Sequence, residues 1–170
     1  MSDRLVALDT EVLLAIEAET PDCSEAHRLL REVGFLFAAT PTVMQELETA
    51  RHKYQNEYTQ ALAENLLSRN TLRELGVTSP RLNDTEIDVS EIHARTMMER
   101  NILDGASHAN EGDIIALIEA AYKDCPLFVT TNSDLLERAD SLSLALVQIC
   151  GMRALLIVSP SEVIEAFKTP

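Results

Sequence analysis

Arg4-Leu-Val-Ala-Leu-Asp9-Thr10 opens the chain with an apolar run that stops on an acid. Leu5 to Leu8 shows no polar alternation, so it reads as a strand buried on both faces, the kind found inside a parallel sheet. Glu11 to Glu19 then carries Val12, Leu13 and Ile16 at helical spacing. Strand, acid, helix is the unit to follow along the chain.

The unit recurs. Thr20-Pro21-Asp22 punctuates, and Ser24 is placed to cap a second helix running to about Val33. Gly34 precedes a second strand, Phe35 to Ala39. Thr40-Pro41 is a helix start, with Thr at the N-cap and Pro at the first helical position, and this helix carries Val43, Met44, Glu46 and Leu47. The most regular helix has Ile114, Ile115, Leu117, Ile118 and Ala121 on its apolar face and opens at Asn110-Glu111-Gly112-Asp113. It leads to a third strand, Leu127 to Thr130; Thr131-Asn132-Ser133 then caps a short helix near Asp134. Ala154 to Val158 is a fourth strand, and Ser159-Pro-Ser-Glu162 is a capping box before a terminal helix.

Between Glu46 and Asp113 the pattern predicts helices over Gln60 to Leu75 and Ser90 to Leu103, a loop from Gly76 to Thr85, and no strand. Strands alternating with helices predict an α/β fold: a three-layer α/β/α domain spanning 1–170 around a central, mostly parallel sheet. A helical arm at about 50–109 is expected between the second and third strands.

Composition narrows the function. The chain has 170 residues, 46% apolar and 25% charged, enough for one well-formed core. With no Trp, three Tyr and four Phe, it lacks the aromatic platforms that single-strand binders stack bases on. Its net charge of −14 disfavours long-range attraction to nucleic acid. The charge is uneven, however: Arg51 to Arg81 holds five basic residues against three acids. Cys23, Cys125 and Cys150 share no C-x-x-C spacing, which argues against a disulfide framework or zinc site and for thiols in a reducing compartment. There is no basic-then-apolar leader pattern, and the longest apolar stretch, Ala145 to Val158, contains Arg153 and is too short to span a bilayer. A cytoplasmic protein without a membrane segment is expected.

Asp9, Glu46, Asp113 and Asp134 each fall at a strand end or near a helix start. Taken singly, each has a local explanation. Asp9 suits an N-cap, Asp113 follows Asn110 like the acid of a capping pair, Asp134 meets a helix dipole, and Glu46 suits an exposed helical face. Taken together, they lie where an open parallel sheet binds ligands, beyond the carboxyl ends of its strands. Carboxylates gathered there cannot all ionise unless cations intervene. Mg²⁺ or Mn²⁺ would meet that need and would activate water toward a phosphodiester. No Gly-rich phosphate loop, G-x-S-x-G or Cys/His pair offers a rival site.

Four segments carry a family resemblance. Leu5-Val-Ala-Leu-Asp-Thr-Glu-Val-Leu-Leu14, Ala39-Thr-Pro-Thr-Val-Met-Gln-Glu-Leu47, Glu111-Gly-Asp-Ile-Ile-Ala-Leu117 and Phe128-Val-Thr-Thr-Asn-Ser-Asp-Leu135 resemble, in order, the motifs of PIN-domain proteins. Leu156-Ile-Val-Ser-Pro-Ser-Glu162 is similar to the family's last strand and helix. The resemblance implies metal-dependent ribonuclease activity with Asp9, Glu46 and Asp113 as the first three acids and Glu111 as an auxiliary. The family's fourth motif is usually Thr-Asn-Asp. Here Thr131-Asn132-Ser133-Asp134 sets the acid one place later, or Asn132 fills the slot, with Thr131 beside it.

Many small PIN proteins are toxins of toxin–antitoxin pairs and many dimerise. An antitoxin-like protein partner and a homo-oligomer are therefore expected, and the helical arm would serve an oligomer contact or RNA positioning. Arg51, Lys53, Arg69 and Arg73 are the candidate contacts to an RNA backbone. The competing expectation is a PIN-fold scaffold that binds RNA or protein without cutting it, favoured by the overall acidity and the altered fourth motif. A phosphotransfer receiver would need paired acids near the first strand and a later Lys, but Lys123 precedes the third strand.

Overall fold

β1 (Leu5–Leu8) forms the centre of a five-stranded sheet in the computed structural model, which describes residues 4–53, 56–68, 70–99 and 111–168. It pairs with β2 (Leu36–Ala38) on one side and β4 (Leu127–Val129) on the other, and β3 (Val77–Thr78) and β5 (Leu156–Val158) are the edges. The order is β3-β2-β1-β4-β5 and every pairing is parallel. Parallel neighbours need crossovers, and helices supply them.

Between β1 and β2 run α1 (Thr10–Glu17) and α2 (Pro21–Val33); between β2 and β3 run α3 (Pro41–Lys53), α4 (Glu57–Ser68) and α5 (Thr71–Glu74). α6 (Asp84–Glu99) and α7 (Glu111–Tyr122) precede β4, α8 (Ser133–Glu137) and α9 (Ala139–Gln148) precede β5, and α10 (Pro160–Phe167) follows it. With helices flanking the sheet, the expected three-layer α/β/α architecture is what forms. α10 packs on α2, α4 on α3 and α1, and α6 on α7. The core is Val6, Ala7 and Leu8 of β1, Phe37 and Phe128 of its neighbours, and Ile114, Leu117 and Ile118 of α7, all buried. Among the described residues no helix is long and apolar enough to cross a membrane.

Several boundaries differ from expectation, each for a local reason. The segment expected to lack a strand contains β3. It is two residues long, too short for any periodicity, and is held by backbone bonds across β2: Phe37 N–H to Gly76 O at 3.1 Å and Ala39 N–H to Thr78 O at 2.8 Å. α2 starts at Pro21, with Ser24 in its first turn rather than at its cap, and Gly34 ends it in the left-handed region at φ +104°. α6 starts well before Ser90, because Asn83 and Glu86 form a reciprocal cap: Glu86 N–H donates to Asn83 Oδ1 at 2.8 Å and Asn83 N–H to Glu86 Oε1 at 3.0 Å. The helix expected over Gln60 to Leu75 is two, α4 and α5, and α9 is an element no signal had marked.

The terminal capping box forms as expected. Ser159 Oγ accepts from Glu162 N–H at 3.1 Å, and Glu162 accepts from Ser159 N–H. Ser159→Ala should therefore cost about 1 kcal/mol of stability, read as a shift in the urea midpoint with an unchanged slope.

Candidate functional site

The connections from β1 and β4 leave the sheet in opposite directions, to β2 on one side and β5 on the other. The crevice at such a switch point, beyond the strands' carboxyl ends, is where open α/β sheets bind ligands. Asp9 stands there as the residue after β1 and the N-cap of α1. Its amide donates to Val129 O of β4 at 3.0 Å. One carboxylate oxygen accepts from Thr10 N–H at 2.8 Å, and the other from Thr130 Oγ1 at 2.6 Å. The capping role and the clustered role thus belong to the same side chain.

Thr10 and Thr130 are buried and went unmarked in the sequence, where each merely ends or follows an apolar run. Thr130 Oγ1 also accepts from Asn132 N–H at 3.0 Å, so one hydroxyl ties the β4 exit loop to Asp9. Thr10 Oγ1 donates to Glu46 Oε2 at 3.0 Å, reaching from α1 to α3. Beside this bond opens a cavity of about 420 Å³. Its walls are Thr10, Glu11 and Leu14 of α1, Thr42, Gln45, Glu46 and Thr49 of α3, and Gly112 and Asp113 at the start of α7.

Electrostatics mark Asp9, Glu46 and Asp113 as neighbours. Burial pushes the Asp9 carboxyl above its usual range against the pull of Thr130 and Thr10, and the charges of Asp113 and Glu11 add to the push. Glu46 is raised to about 7, first by burial, then by the charge of Asp9, with Asp113 and Glu11 adding to it against the Thr10 hydroxyl. Glu11 was not singled out in the sequence, yet it lines the cavity and repels both carboxyls. Among the described residues, no three or more Asp, Glu, His or Cys side chains are drawn tightly enough together to hold a metal ion. Asp9 and Glu46 instead have their carboxylate oxygens on threonines.

None of the other expected residues that are described lines the cavity. Asp134 is half-buried in the first turn of α8 and is not part of the cavity lining. Asn132 is the N-cap of α8, its side-chain oxygen accepting from Asp134 N–H at 3.0 Å, and Thr131 is exposed. Glu111 opens α7 and meets Arg95 Nε of α6 at 3.5 Å. Arg51 is paired with Glu48 and, at 3.4 Å, with Glu64, joining α3 to α4. Arg73 is exposed on α5. Arg69 and the side chain of Lys53 lie outside the described residues, as does Asn110.

A chain in the crystal structure of VapBC2 from Rickettsia felis bound to a DNA fragment from its promoter superposes with a TM-score of 0.60, covering 91% of this chain and 98% of that one at 16% identity. A chain of FitAcB from Neisseria gonorrhoeae gives a TM-score of 0.53 over 92% of this chain and 98% of the other, at 14% identity. The fold is PIN-like. The sequence itself matches no protein-family model and no curated protein. At such identities the PIN likeness describes the path of the chain, and the chemistry must be argued from the site.

Proposed function

We propose that this PIN-like protein is a metal-dependent endoribonuclease, hydrolysing RNA phosphodiester bonds at the crevice beside Asp9. The observation that carries the reading is the gathering of Asp9, Glu46 and Asp113 at the switch point, close enough for burial and mutual charge to raise Asp9 and Glu46. An all-oxygen, mutually repelling donor set suits a hard divalent cation, Mg²⁺ or Mn²⁺, that keeps several of its waters. Asp9, Glu46 and Asp113 would hold it, with Asp134 or Asn132 completing the site and Glu111 and Thr131 at its margin. When bound, the cation supplies an activated water and a charge to offset the developing oxyanion. Thr130 and Thr10 fix the carboxylates of Asp9 and Glu46 in advance, which saves reorganisation during reaction.

The substrate is RNA, drawn in locally rather than by overall charge, since the net charge is −14. Arg73, with Lys53 and Arg69, would contact its backbone, while Arg51 would have to leave Glu48 and Glu64 to do so. The fold likeness to VapBC2 and FitAcB supports an antitoxin-like protein partner, and a cytoplasmic homo-oligomer is proposed along with it from the resemblance of the motifs. A second reading, a PIN-fold scaffold that binds RNA or protein without cutting, is favoured by the lack of a tight ligand cluster among the described residues.

Purified protein with end-labelled RNA separates the two. The nuclease reading expects fragments with Mn²⁺ or Mg²⁺ and intact RNA once a chelator is added. Intact RNA with every divalent cation sinks it in favour of the scaffold.

A further inference from the structure

Glu119 lies on the apolar face of α7, only 4% exposed, among side chains that are otherwise core. An ionisable group in such a place is costly unless both oxygens are met. They are met by one residue. Glu119 Oε1 accepts from Thr42 N–H at 3.0 Å, and Oε2 accepts from Thr42 Oγ1 at 3.0 Å. Burial raises the Glu119 carboxyl, while Thr42 N–H, the nearby Thr40 hydroxyl and the Thr42 hydroxyl pull it down. Thr42 N–H is one of the first-turn amides of α3, a group that an N-cap side chain at Thr40 would otherwise take up. The cap of α3 therefore comes from a distant helix.

The placement of the two partners gives this clasp its meaning. Thr42 stands four residues before Glu46, on the same face of α3, and lines the cavity with it. Glu119 stands six residues after Asp113 on α7, about 9 Å along the axis. One bidentate contact therefore joins the helix that carries Glu46 to the helix that carries Asp113.

We propose that Glu119 is a positioning residue: by holding Thr42 it sets the register of α3 against α7, and with it the separation of the Glu46 and Asp113 carboxylates. The inference rests on the reading of those acids as cation ligands. A plain helix cap would stabilise the fold and leave cation affinity alone. A positioning residue changes affinity in a protein that is still folded.

Mn²⁺ affinity measured by calorimetry at one pH, alongside cleavage kinetics, distinguishes the two roles. Glu119→Ala should weaken Mn²⁺ binding by about tenfold, the scale of lost outer-shell support, and lower kcat with little change in KM for RNA, which Glu119 does not touch. Glu119→Gln should stay within about threefold of wild type, because its amide oxygen still accepts from Thr42 N–H and the Thr42 hydroxyl can turn to accept from its NH₂. Thr42→Val should weaken Mn²⁺ binding less than Glu119→Ala, and the double variant should bind no worse than Glu119→Ala alone. A folded Glu119→Ala with wild-type Mn²⁺ affinity overturns the inference while leaving the metal site intact. If Glu119→Ala does not fold, Thr42→Val decides: unchanged Mn²⁺ affinity overturns the inference and weakened affinity supports it. Wild-type protein that binds no Mn²⁺ overturns the metal reading itself, and this inference with it.

Discussion

Asp9→Asn is expected to lower RNA cleavage by at least about a hundredfold, a loss of roughly 2.7 kcal/mol in transition-state stabilisation, while the protein keeps its fold. The exchange removes one charge and almost no volume. Asn can still accept from Thr10 N–H, and its NH₂ can donate to Thr130 Oγ1 once that hydroxyl turns, so two charge-assisted bonds become weaker neutral ones. That costs about 1 kcal/mol. Against it stands the removal of a buried charge that Asp113 and Glu11 repel. The two effects oppose, so the melting midpoint without metal should lie near wild type. The Mn²⁺-induced rise in midpoint should shrink or vanish, because a cation that binds only the folded state stabilises it in proportion to its affinity. Initial rates on labelled RNA and melting curves with and without Mn²⁺ read both effects. Cleavage unchanged by Asp9→Asn removes Asp9 from the chemistry.

Asp9 was legible because two signals coincide there: an unbroken apolar run and an acid that ends it. Parallel strands buried on both faces leave such runs, and the exit of a central strand is where a crevice lies. Glu46 and Asp113 were legible only as acids on helices next to such exits. Their convergence depends on α3 and α7 packing together, which no local pattern encodes. Thr130, Thr10 and Glu119 were illegible for a related reason. A threonine closing a strand is common, and an acid in an apolar helix stripe reads as a flaw until its partner 77 residues away is known. β3 was missed because its stability comes from β2, not from its own two residues. The start of α6 was a different case: Asn83-Asp-Thr-Glu86 carries the reciprocal cap in plain spacing. Pro80 and the polar run around it drew that segment into the loop.

The site should also announce itself through pH. Glu46 titrates at about 7 in the folded protein against 4.5 for the free side chain, and Asp9 is displaced in the same direction. The folded state thus holds protons that the unfolded chain releases, and stability falls as pH rises across that window. It is fully present below about 4.5, is lost through about 7, and changes little beyond. Partial exposure of Glu46 discounts the size of the effect. Even about 1 kcal/mol would move the melting midpoint of a chain this long by about 2–4 °C. Mn²⁺ needs the deprotonated carboxylates and competes with those protons. Its stabilisation should therefore be small at pH 5 and large at pH 8, so that the curves with and without Mn²⁺ diverge as pH rises. Glu46→Gln isolates the contribution of this one group, since other titrations are shared by both proteins. Its metal-free midpoint should fall less between pH 4.5 and 7 than that of wild type, and its Mn²⁺ response should be reduced at every pH. Equal slopes for the two proteins would mean that Glu46 shares its proton-binding behaviour with an ordinary surface carboxylate, and would detach it from the cluster around Asp9.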